Sequence, residues 1–161
     1  MYNEQIVTDI EQYRTMVFRI AYGYVRDTHD ADDITQDVFL KLCKRKKHFN
    51  DEENKKAWLI RVTMNQSKTL LTSVWRTRKT DTDKLSEAVT ADFTQDKLEL
   101  YEYVEKLKPK YRTIIYLYYY EEYTVKEIAG ILKISQTAVT TQLNRARGQL
   151  KEILLEEGYV S

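Results

Sequence analysis

The sequence predicts an all-α protein of two small helical domains, and three features carry that prediction. One proline and four glycines in 161 residues leave few helix breakers. Apolar residues recur at steps of three and four along most of the chain, and no segment sustains the alternation of a sheet protein. Between Lys79 and Asp96 the pattern weakens, with Thr80, Thr82, Ser86, Thr90 and Thr94 set among acids. That stretch, 79–96, is the expected flexible linker between a domain over residues 1–78 and one over 97–161.

In the first domain, Ile6, Ile10, Tyr13, Val17, Ile20 and Tyr24 mark an opening helix, which Thr28-His29-Asp30 is expected to break. A second helix starts near Asp30 or Ala31, where Asp32 and Asp33 suit the positive end of the helix dipole. It buries Ile34, Val38 and Leu42 and ends in Lys44-Arg45-Lys46-Lys47. His48 to Asn54 reads as a polar loop. A third helix is expected from about Lys55 to Arg78, with Trp58, Val62 and Leu70 inward and Arg61, Asn65, Lys68, Thr72 and Arg76 along one polar stripe.

The second domain opens near Lys97 with Leu100, Val104 and Leu107 on one face, breaks at Pro109 and resumes toward Ile114 and Leu117. Tyr116, Tyr118, Tyr119, Tyr120 and Tyr123 are read as core, because tyrosine buries its ring readily and leaves its hydroxyl wet. Two short helices joined by a tight turn follow. Thr124 and Glu127 have capping-box spacing, Leu132-Lys133-Ile134 make the turn, and Ser135 can cap the last helix. Val139, Leu143, Ala146 and Leu150 give that helix one buried stripe. Its other face carries Gln136, Thr137, Thr140, Thr141, Gln142 and Arg145, which are base-edge and phosphate contact types. In a helix-turn-helix such a face reads duplex DNA from the major groove, whereas an ordinary packed helical hairpin is the plainer alternative.

The net charge of +1 does not exclude nucleic acid, because the charges are segregated. No acid occurs from Asn54 to Thr80, and none between Glu127 and Glu152, while both stretches carry lysine and arginine. With 42% hydrophobic and 32% charged residues the chain is expected to be globular and soluble. No apolar run is long enough to span a bilayer and Met1-Tyr2-Asn3-Glu4 opens no signal peptide, so a cytoplasmic protein is expected. The single Cys43 fits a reducing compartment, and His29 and His48 lack ligand spacing, so neither a metal nor a cofactor is expected.

Asp33 and Asp37 stand one turn apart and could serve acid-base or cation chemistry. The other parts of such an active site are missing from the sequence, which has no paired histidines and no phosphate-cradling glycine loop. A solvated helix face and an acidic docking face for a basic partner are the alternatives.

The order of Asp30-Ala31-Asp32-Asp33-Ile34-Thr35-Gln36-Asp37-Val38-Phe39-Leu40-Lys41-Leu42, then Phe49, then Ala57-Trp58-Leu59-Ile60-Arg61-Val62 with Asn65, then a linker and a terminal helix-turn-helix, resembles a bacterial RNA polymerase sigma factor of the extracytoplasmic-function type. The resemblance runs from about Tyr13 to Leu154 and implies a non-enzymatic subunit that binds core RNA polymerase and directs initiation at promoter DNA. It places Asp32, Asp33, Gln36, Asp37 and Phe39 against the beta-prime clamp. Phe49, Asn50, Lys56, Arg61, Asn65, Lys68 and Arg76 fall at the minus-ten element, where a loop over His48 to Lys56 captures a flipped base. Gln136, Thr137, Thr140, Thr141, Gln142 and Arg145 fall at the minus-thirty-five element. A contact with the beta flap and an anti-sigma partner are also implied. A free-standing helix-turn-helix regulator is the competing reading, and it leaves the first half unexplained. Three departures from the family's habit stand out. Thr140 and Gln142 replace basic residues, Asp51-Glu52-Glu53 puts acids beside DNA, and Lys133 stands where glycine is common, at a cost of about 1 kcal/mol if the turn is left-handed.

Overall fold

The computed structural model describes residues 4–73 and 87–158. Among the described residues all regular structure is helical, and the chain divides into two units, Met1–Val89 and Thr90–Ser161.

In the first unit α1 (Glu4–Val25), α2 (Thr28–Lys44) and α3 (Glu52–Leu71) pack against one another. The steps of three and four predicted for α1 place Tyr13, Val17, Ile20 and Tyr24 in the core, where they meet Ile34, Val38 and Leu42 of α2 and Leu59 and Ile60 of α3. Buried threonines do not disturb this core, because Thr35 and Thr63 each donate the hydroxyl to the carbonyl one turn back. The break between α1 and α2 falls earlier than Thr28-His29-Asp30. Arg26 takes a left-handed conformation with φ 54°, and Asp27 then caps α2 by accepting from the Asp30 N–H at 2.9 Å.

Helix α3 departs from expectation at both ends. It begins at Glu52 rather than Lys55, because Asp51 accepts from the Asn54 N–H at 2.8 Å as an N-cap and Glu52 and Glu53 occupy the positive end of the helix dipole. It ends at Leu71, short of Arg78, where Thr72 closes the last turn onto the Lys68 and Thr69 carbonyls. Its buried residues are Ala57, Leu59, Ile60, Thr63 and Ser67, whereas Trp58, Val62 and Leu70 are only half-buried.

The stretch expected to be a linker carries structure at its end. A short helix, α4 (Glu87–Thr90), brings Val89 into the core of the first unit. Phe93, three residues beyond Thr90, packs in the second unit at 5.4 Å from the Tyr101 ring and 4.9 Å from the Tyr120 ring. These are isolated apolar residues in a polar stretch, too sparse for a periodic signal, yet Val89 is buried and Phe93, half-buried, packs on two tyrosine rings.

The second unit consists of α5 (Gln95–Val104), α6 (Pro109–Ile115) with a π-helical turn over Tyr116–Tyr120, α7 (Val125–Leu132) and α8 (Gln136–Glu156). Pro109 begins α6, where its missing N–H costs nothing. Of the five tyrosines read as core, Tyr116, Tyr120 and Tyr123 are buried, Tyr118 is half-buried and Tyr119 is exposed. Tyr120 donates its hydroxyl to the Lys97 carbonyl at 2.8 Å, and burial pushes that hydroxyl well above the usual tyrosine pKa.

Candidate polymerase and promoter surfaces

Helix α2 owes its exposed acidic side to its own apolar stripe. With Ile34, Val38 and Leu42 buried, Asp32, Asp33, Gln36 and Asp37 face solvent. Phe39 does not share this exposure, being buried against the core. The acidic side is divided between two grooves. Asp32 and Gln36 line one of about 400 Å³ with Ile10, Arg14, Phe39 and the exposed Leu40. Asp33 and Asp37 line another, between α2 and α3, together with Lys41, Asn65 and Gln66. Gln66 donates to the Asp37 carboxylate at 3.1 Å. The sequence suggests one face for the aspartates and a separate one for Asn65, but the packing of α2 on α3 brings them into the same groove.

The segment from Arg45 to Asp51 is held by contacts that sequence reading does not anticipate. The Arg45 guanidinium lies 4.3 Å over the Phe49 ring, and Phe49 meets the Trp58 ring at 5.7 Å. Behind it, Asp9 of α1 is buried and accepts from Lys55 Nζ and from Gln5 Nε2, each at 2.9 Å. Tyr13 donates its hydroxyl to Glu52. The acids that looked awkward beside DNA are thereby accounted for: Asp51 caps α3, Glu52 turns to Tyr13, and Glu53 lies 3.8 Å from Lys56. Beyond them, Asn50, Asn65 and Lys68 are exposed, Phe49, Lys56 and Arg61 are half-buried, and Arg76 lies outside the described residues.

The helix-turn-helix of the second unit forms as its caps predict. Thr124 accepts from the Glu127 N–H at 3.1 Å while the Glu127 carboxylate accepts from the Thr124 N–H at 2.8 Å, a complete capping box. Ser135 accepts from the Ala138 N–H at 3.0 Å and starts α8. Lys133 adopts the left-handed conformation at φ 58°, ψ 45°, which the family habit of glycine implied. Glu122 does the same at φ 59°, with no such warning in the sequence. Burial of Val139, Leu143 and Ala146 turns Gln136, Thr137, Thr140, Thr141 and Arg145 outward, with Gln142 half-buried. None of these six side chains bonds to another side chain among the described residues.

Arg147 behaves differently, and its role was not read from the sequence. Its Nε donates to the Tyr119 hydroxyl at 2.9 Å and its Nη1 to the Asn144 side-chain oxygen at 3.3 Å, while the guanidinium sits 5.5 Å from the Tyr118 ring. The hydrogen bond with Tyr119 raises the Arg147 pKa further above its ordinary value. Among the described residues no three potential metal ligands cluster, and no helix is long and apolar enough to cross a membrane.

Comparison with known proteins assigns both units. Residues 10–77 match Sigma-70 region 2 and residues 97–150 match Sigma-70, region 4. An RNA polymerase sigma-E factor from Streptomyces coelicolor is 30% identical, over 92% of this chain and 88% of its own length. The chain belongs to the RNA polymerase sigma factors of the extracytoplasmic-function (ECF) class. The ECF RNA polymerase sigma factor SigW of Bacillus subtilis is 27% identical, over 90% of this chain and 86% of its own length. The fold is that of the sigma factor RpoE of Bartonella quintana, solved with the anti-sigma factor NepR, at a TM-score of 0.75 and 18% identity, with 94% of this chain and 98% of that one covered.

Proposed function

We propose that this sigma factor binds core RNA polymerase, recognises two promoter elements and helps open the DNA, without itself catalysing a reaction. The observation that carries the reading is the pairing, in one chain, of an exposed acidic helix and an internally braced loop with a recognition helix whose polar side chains are uncommitted. A free-standing regulator would use only the last of these.

In this reading Asp32, Asp33, Gln36 and Asp37 meet the basic clamp of the beta-prime subunit, with Phe39 supporting the floor of the α1–α2 groove. Phe49, Asn50, Lys56, Arg61, Asn65, Lys68 and Arg76 serve the minus-ten element. A pocket built there for an unstacked base would offset the few kcal/mol that unstacking costs. Gln136, Thr137, Thr140, Thr141, Gln142 and Arg145 read the minus-thirty-five duplex, and the second unit also meets the beta flap. The protein acts in the cytoplasm, with no insertion into the membrane, and an anti-sigma factor holds it inactive, as the structures of similar factors with such partners suggest.

Run-off transcription with purified core polymerase on a randomised promoter library tests this function. The double substitution Asp33→Lys, Asp37→Lys should leave the helical content intact, because both residues are exposed, and should weaken core binding by about 2–5 kcal/mol. Normal core binding by that variant would remove the docking assignment.

A further inference from the structure

Helix α4 lies inside the stretch that reads as a free linker, yet its Val89 is fully buried in the first unit. Arg19 of α1, also buried, donates its Nε–H to the Val89 carbonyl at 2.7 Å. Helix α3 of the same unit ends at Leu71, and the next described residue to be buried is Val89. By Phe93 the chain already packs on Tyr101 and Tyr120 of the second unit. The tether between the units is then only Thr90 to Asp92.

Chain length sets a limit on what such a tether permits. Elements centred ten and thirty-five bases before the start of transcription lie about 25 base pairs apart, about 85 Å at about 3.4 Å per pair. An extended chain from Val89 to Phe93 reaches about 14 Å, and for units of about 14 Å radius the centres can part by no more than about 45 Å. Measured instead from Ser73, the extended chain reaches about 70 Å and the centres can part by about 95 Å. Only the longer tether spans both elements.

We propose that Arg19 and Val89 form a latch, which holds the end of the linker on the first unit of the free chain and opens when the holoenzyme engages both promoter elements. The proposal rests on the function given above. Its chemistry suits a reversible hold, because a buried valine side chain and a guanidinium bond to a backbone carbonyl are contacts that each contribute modestly. The bond to the carbonyl grips the main chain, while the valine side chain fixes which residue is gripped.

The test places a diazirine amino acid at position 89 of the full chain and irradiates it free, bound to core polymerase, and in promoter-bound holoenzyme. Crosslinks to α1 are expected in the free chain and should fall about tenfold on the promoter, where both elements are engaged. Undiminished α1 crosslinking in complexes active in run-off transcription overturns the latch and leaves the sigma-factor function standing. Failure of the unmodified chain to support run-off on any promoter overturns the function and the latch with it.

A second measurement uses Val89→Asp, with dyes on Glu11→Cys and Glu152→Cys in a Cys43→Ser background. Release should shift the dye separation of the free chain to longer and broader values, with helical content unchanged by circular dichroism. A distribution identical to that of the chain with Val89 intact overturns the latch.

Discussion

The two units prepare the surfaces proposed to meet DNA in opposite ways. In the first, the residues around the expected base-capturing loop are tied down: Lys55 to Asp9, Glu52 to Tyr13, Arg45 over Phe49. In the second, Gln136, Thr140, Thr141 and Arg145 stand free on a helix whose position is fixed by buried Val139, Leu143 and Ala146 behind them. The difference matches the task proposed for each. A loop that holds an unstacked base must resist deformation, and bracing supplies the rigidity. A recognition helix is rigid already, so its side chains can remain available for bases and phosphates. Substitutions of the bracing residues in the first unit should therefore damage stability and function together, and those of the outward side chains of α8 function alone.

The largest expected effect breaks the first brace. Asp9→Ala leaves the Lys55 ammonium without its buried partner, and should destabilise the first unit by about 3 kcal/mol in denaturant unfolding. A loss below about 0.5 kcal/mol would show that water replaces the pair readily and that the loop is not braced from behind.

On the recognition helix, Gln142→Ala should relax preference at one minus-thirty-five position by about 1–3 kcal/mol while leaving the unfolding midpoint unchanged. Arg145→Ala should weaken all promoters alike and lower the salt slope by about one. Equal losses on every promoter variant for both substitutions would remove Gln142 from sequence reading.

The smallest expected effect tests the turn that orients the recognition helix. Lys133→Gly relieves a left-handed conformation and should stabilise the second unit by about 0.5–1 kcal/mol, with promoter preference unchanged. Thermal unfolding reads the gain, and a destabilised variant would mean that the lysine side chain contributes more than its backbone costs.

Much of this arrangement was legible because it is local. The steps of three and four gave α1 and the core of α2, and the capping box at Thr124 and Glu127 and the cap at Ser135 fixed the helix-turn-helix. The start of α3 was misplaced because Asp51-Glu52-Glu53 reads equally as a polar loop or as a cap with a first acidic turn. Contacts between distant residues were not legible. Lys55 is 46 residues from Asp9 and Arg147 is 28 from Tyr119. One signal for the former was present: Asp9 sits on the same face as Ile6 and Tyr13, where an acid needs a buried partner. No comparable signal announced that Val89 and Phe93 would leave the linker for opposite units.

The central claim is that two differently prepared surfaces become a promoter reader only when polymerase holds them together. A gel-shift titration at physiological salt, with the chain alone and with core polymerase, tests it most directly. The chain alone should bind duplex promoter weakly, with steep salt dependence and little sequence preference, and core polymerase should confer the preference. Tight, sequence-specific binding by the chain alone would contradict the account and return the protein to the class of free-standing regulators.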